Sequence, residues 1–93
     1  MWVFSSALRF LADMGHARRR PKRLAEKLRQ IRNALGLSQR EMVDRLGVEV
    51  SANNISKYEL DKNEPPINVL LSYARTANVR LAQIVDDEED LNL

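Results

Sequence analysis

Five cations, Arg18, Arg19, Arg20, Lys22 and Arg23, crowd around Pro21. Groups of one sign packed this densely repel one another, are expected not to pack, and suit the neutralisation of phosphates on a polyanion. The imbalance extends along the chain. Up to Val48 there are eleven Lys/Arg against four Asp/Glu, and after it four against nine, so the two parts carry +7 and −5 within a net charge of +2. That separation fits a basic face turned to a nucleic acid with the acidic part turned elsewhere, and on charge alone a solvated basic surface fits equally. Catalysis has little to work with. His16 is the only histidine, there is no cysteine and no clustered acid/base set, so no catalytic residue, metal site or cofactor is expected. His16 reads as a tail residue. The missing cysteines exclude disulfides and thiolate metal sites and fit a reducing cytoplasm.

These residues need a scaffold, and 93 residues with 44% apolar and 30% charged content allow one soluble globular domain. Met1 to Asp13 is apolar, yet it lacks a basic leading region and contains Arg9 and Asp13, so export is not expected. No run approaches the ~20 apolar residues of a membrane span. Met14-Gly15, just before the basic run, offers an alternative start of translation. The expected division is a flexible extension with a basic arm over 1–21, a helical domain over 22–86 and an acidic tail over 87–93.

Helical spacing organises the middle. Leu24, Leu28, Ile31 and Leu35 form one stripe, predicting a first helix from Lys22 to Leu35 stopped by Gly36. Ser38-Gln39-Arg40-Glu41 fits a capping box, with Leu37 and Met42 placed for a hydrophobic staple, so a second helix should run to Leu46 with Met42, Val43 and Leu46 inward and Gly47 ending it. Ser51 is the candidate N-cap of a third helix that buries Ile55 and Tyr58 and ends near Leu60. The turn chemistry of Asp61 to Pro66 leads into a fourth helix with Pro66 in its first turn, Ile67, Leu70, Leu71 and Ala74 inward, and Asn78 in the left-handed position after it. Leu81, Ile84 and Val85 face inward on a short fifth helix. Asp86 to Asp90 reads as solvated. The predicted core is Leu24, Leu28, Ile31, Leu35, Met42, Val43, Leu46, Ile55, Tyr58, Leu70, Leu71, Ala74, Leu81 and Ile84, with no strand.

From Leu28 to Val85 the chain resembles the helix-turn-helix regulators of the XRE or Cro/C1 type, which include phage repressors. The resemblance rests on Leu35-Gly36-Leu37-Ser38-Gln39-Arg40-Glu41, Leu46-Gly47-Val48, Ile55-Ser56-Lys57-Tyr58-Glu59, Pro66 and the Leu70/Leu71/Ala74 core. It implies an all-α, compact five-helix lambda-repressor-like DNA-binding domain whose third helix enters the major groove of double-stranded DNA. It places Gln39 and Arg40 against the DNA backbone at a helix N-terminus, where free N–H groups favour phosphate. Ser51, Ala52, Asn53 and Asn54 match the reading end of the third helix, and Asn suits bidentate pairing with adenine. Ser56, Lys57 and Lys62 match further base or phosphate positions, with Arg18, Arg19 and Arg20 as an arm that tracks phosphates or enters a minor groove. Arg32 and Glu59 match a partly buried structural ion pair. One departure stands out: Gly47 to Ile55 spans eight residues where relatives usually have six, so Ser51 and Ala52 align less securely. Asp61 stands where glycine is common.

Plainer roles are available for the same residues. Gln39 can be a solvated helix-start residue, Asn53 and Asn54 N-cap residues, Lys57 a solvated lysine, and the basic block a solubility tail; Tyr58, Tyr73 and Met42 are at core spacing. At the level of function, the resemblance implies a cytoplasmic, nucleoid-associated transcriptional regulator, a repressor or an activator, acting as a homodimer on DNA. Two alternatives use the same fold: an antitoxin that also holds a toxin, and an adaptor that binds protein only.

Overall fold

Leu24, Leu28 and Ile31 are buried together on α1 (Leu24–Leu35), the first helix in the computed structural model, which describes residues 20–93. Four more helices follow, α2 (Gln39–Leu46), α3 (Ala52–Glu59), α4 (Ile67–Ala77) and α5 (Leu81–Val85), with no strand among the described residues. The fold is all-α. Expectations for residues 1–19, among them the Arg18–Arg19 part of the arm and the start at Met14, lie outside the described residues.

Local chemistry sets most boundaries. Gly36 has φ 72°, and its N–H reaches Asn33 O at 3.0 Å while that of Leu37 reaches Arg32 O at 3.2 Å, closing α1. Asn78, with φ 56°, closes α4 in the same way, its N–H on Arg75 O at 3.2 Å and that of Val79 on Ala74 O at 3.0 Å. Gly47 ends α2 with φ 67°, and a Cβ there would meet nothing within 4 Å, so backbone conformation rather than space favours glycine. Asp61 holds φ 60° just past α3, a region that Asp tolerates at some cost. Pro66 is the N-cap of α4 rather than a residue of its first turn. Its ψ of 163° is extended, and its carbonyl accepts the N–H groups of Val69 and Leu70, both at 3.1 Å.

The core unites all five helices, and it differs from the predicted set by a rotation of α4. That helix buries Val69, Leu70, Tyr73 and Ala74, which moves Leu71 to the edge, half-buried. Leu35, Val43 and Leu81 are also half-buried, packed against the margin, while Ala82 and Val85 join Ile84 inside. The apolar stripe of an amphipathic helix is wide enough that a small change of phase exchanges members at its edge.

The acidic C-terminal segment is not simply solvated, and the basic block packs from Arg20 onward. The Asp87 carboxylate accepts the N–H groups of Lys22 at 2.8 Å and Arg23 at 2.9 Å. Residues 22 and 23 are thereby held in a turn, so α1 begins at Leu24 and not at Lys22; its N-cap, Arg23, has no side chain able to accept, and Asp87 takes over that task. Arg23 in turn donates to Asp87 O at 2.9 Å and Asp90 Oδ1 at 2.7 Å. Lys27, buried between them, donates from Nζ to Asp86 O at 2.7 Å and Glu89 O at 2.6 Å. Burial lowers the Lys27 pKa, the nearby Arg23 charge adding to the effect. Arg20, Arg23 and Lys27 can pack here because each finds a distant acidic or carbonyl partner, while Lys22 stays exposed.

Candidate nucleic-acid interface

α2 begins where two orphan N–H groups are satisfied reciprocally. The N–H of Glu41 donates to Ser38 Oγ at 3.1 Å, and that of Ser38 to Glu41 Oε1 at 2.8 Å. The second of these bonds is the main reason that the Glu41 carboxyl is held below the usual carboxylate range. This start places Gln39 half-buried and Arg40 exposed on the first turn of the helix. After Gly47, Val48 and Val50 pack against the core and Glu49 faces out, so the connection is anchored at alternate residues. Ser51 then caps α3, its Oγ accepting the Asn54 N–H at 3.1 Å.

α3 packs against both α1 and α2. Ile55 and Tyr58 hold it by apolar burial, and Glu59 holds it by charge. Arg32 meets Glu59 through two hydrogen bonds, Nε to Oε2 at 2.7 Å and Nη2 to Oε1 at 2.9 Å, and its third donor reaches Leu37 O at 2.9 Å. Gln39 Nε2 also donates to Glu59 Oε1, at 3.3 Å. One carboxylate thus ties α3 to the last turn of α1 and to the first residue of α2. The hydrogen-bonded Glu59 carboxylate raises the Arg32 pKa further above its ordinary value.

What α3 leaves outside is polar. Asn53, Asn54 and Lys57 are exposed, with Ala52 and Ser56 half-buried beside them. The two asparagines differ. Asn54 is occupied locally, since its Oδ1 accepts the Ser51 hydroxyl and its N–H takes part in the cap. Asn53 makes no side-chain hydrogen bond among the described residues and keeps a donor and an acceptor for another molecule. Arg40, Val43, Asp44, Ser51, Ala52 and Asn53 line a concavity of about 450 Å³ between α2 and the start of α3. Four of these six residues were singled out in the sequence as DNA-contacting. Asp44 was not, having no motif around it; it adds an acceptor to the same concavity. Lys62 is exposed beyond α3. Arg20 is partly exposed and engaged, Nη1 donating to Asp61 O at 2.8 Å and Asp61 Oδ1 at 2.9 Å just past the end of α3.

Two short helices joined by a turn, the second braced from behind and polar in front, define a helix-turn-helix unit. The family model for the helix-turn-helix domain matches residues 25–89, and the chain belongs to that family. Comparison with curated proteins returned no match. The described residues contain no helix long and apolar enough to cross a membrane. The domain class points to DNA as the partner.

Proposed function

We propose that this protein is a sequence-specific transcriptional regulator of the XRE or Cro/C1 type in which α3 reads the major groove of double-stranded DNA. The observation that carries the reading is Asn53: an exposed amide with no internal partner, at the start of a helix whose rear is fixed by the Arg32–Glu59–Gln39 bonds. A rigid helix that presents an uncommitted amide is suited to a base edge, where two simultaneous hydrogen bonds distinguish adenine. Gln39 and Arg40 at the start of α2 supply the phosphate contacts that set register, Lys57 and Lys62 extend them, and Arg18, Arg19 and Arg20 add a sequence-independent clamp. Ser51, Ala52, Asn54 and Ser56 shape the reading end, Asn54 mainly by holding the cap.

One such module covers few base pairs, so the working species is a pair of copies on half-sites ~34 Å apart. Selection of bound sequences from a random duplex pool at moderate salt tests the reading. A recurring two-fold-related motif is expected. A single protected half-turn would remove the pairing, and no enriched sequence would remove specific DNA reading altogether.

A further inference from the structure

α2 ends differently from its neighbours. α1 and α4 each close their last carbonyls with two backbone N–H groups from the residues that follow, at Gly36 and Leu37 and at Asn78 and Val79. At Gly47 no such backbone bond forms among the described residues, although the glycine has the same left-handed conformation. The carbonyl of Leu46 is instead met from another helix. Ser72, buried in the middle of α4, donates its hydroxyl to Leu46 O across 26 residues of sequence. A helix ends with four carbonyls lacking intrahelical partners, and a buried one left unmet is costly. A serine in mid-helix would ordinarily turn to its own backbone.

We infer that Ser72 is a positioning residue for DNA reading: it caps α2 from α4 and sets the point at which the connection to α3 departs. The connection that starts there bears on the core through Val48 and Val50 before Ser51 opens α3. α4 packs directly against α2, while α3 packs against α1 and α2. The hydroxyl therefore links the supporting helix to the start of the turn that delivers Asn53, and the groove between Arg40, Asp44 and Asn53 takes its shape from that junction. Ser72 touches no nucleic acid itself.

This inference rests on the DNA-reading proposal and is tested with the sequence that selection enriches. Ser72→Ala is compared with Ala74→Gly, which weakens the same helix at another buried position and leaves the Ser72 hydroxyl in place. Affinity for the enriched and for a scrambled duplex is measured across a salt series, at a temperature where melting curves show both variants folded. Ser72→Ala should lose about three- to tenfold of the specific-to-scrambled ratio, the size of one hydrogen bond, with the salt slope unchanged. Ala74→Gly should keep the ratio. If Ser72→Ala does not fold, Ser72→Thr against Ser72→Val makes the same comparison, the two being alike in shape and differing in the donor. A wild-type protein with a preferred site, and an alanine or valine variant that keeps the full ratio, overturns the role of Ser72 while leaving DNA reading intact. A wild type without any preferred site overturns both.

Discussion

Arg32 and Glu59 face each other side-on, two donors of one guanidinium on the two oxygens of one carboxylate, with the Glu59 side chain 4% and the Arg32 side chain 17% exposed. Because Glu59 is the last residue of α3 and Arg32 lies in the last turn of α1, the pair decides how α3 lies across the domain. Removing either partner strands a charge in a poorly solvated place. Arg32→Met and Glu59→Gln should each cost about 3 kcal/mol of unfolding free energy, measured by urea denaturation. Arg32→Lys should recover little of it, since an ammonium cannot reproduce the side-on geometry. Loss below about 0.5 kcal/mol would show the pair to act as an exposed one.

The two asparagines of α3 should separate in function. Asn53→Ala is expected to lose about 1–3 kcal/mol on the selected duplex and little on scrambled DNA, because base contacts discriminate and phosphate contacts do not. Asn54→Ala should act first on stability, through the Ser51 cap, with the smaller effect on discrimination. Equal losses for Asn53→Ala on both duplexes would take that residue out of the readout.

Tyr73 is fully buried on α4, and its hydroxyl has no hydrogen-bond partner among the described residues. Burial pushes the phenol above its ordinary range, the Glu59 carboxylate adding to the effect. Replacing an unmet polar atom by hydrogen at constant shape removes a desolvation cost. Tyr73→Phe should therefore stabilise the domain by about 1 kcal/mol in chemical denaturation. Destabilisation would mean that the hydroxyl is satisfied in solution.

The capping box of α2 should give stability an acid limb. The folded-state pKa of Glu41 is depressed, chiefly by the Ser38 N–H. A depressed carboxylate contributes fully above its unfolded value, ~4.3, and the contribution disappears as pH falls through the lower folded value. Melting temperatures of wild type and Glu41→Ala should accordingly differ at pH 7 and converge as pH is lowered below about 4. A difference that persists unchanged to pH 2 would assign the effect to helix propensity instead.

Where structure follows from neighbours in sequence, the sequence by itself determined it. Ser38 and Glu41, Ser51 and Asn54, Gly36, Gly47 and Asn78 act within four residues of their partners or through their own φ, so caps and stops were legible before any fold was known. The stripe of Leu24, Leu28 and Ile31 was legible for the same reason, since one helical period orders it. Arg32 and Glu59 could be paired only through the resemblance, nothing local linking residues 27 positions apart. The tertiary structure alone decided what depends on distant approach. It turned α4 so that Val69 rather than Leu71 joins Leu70, Tyr73 and Ala74 in the core, and it placed Asp87 over the start of α1. It also buried Lys27 among carbonyls of the C-terminal segment and brought the Ser72 hydroxyl to the end of α2. A lysine in an amphipathic helix or a serine in an apolar one reads as solvated or neutral from its neighbours. Only the assembled fold supplies the carbonyl that makes each of them specific.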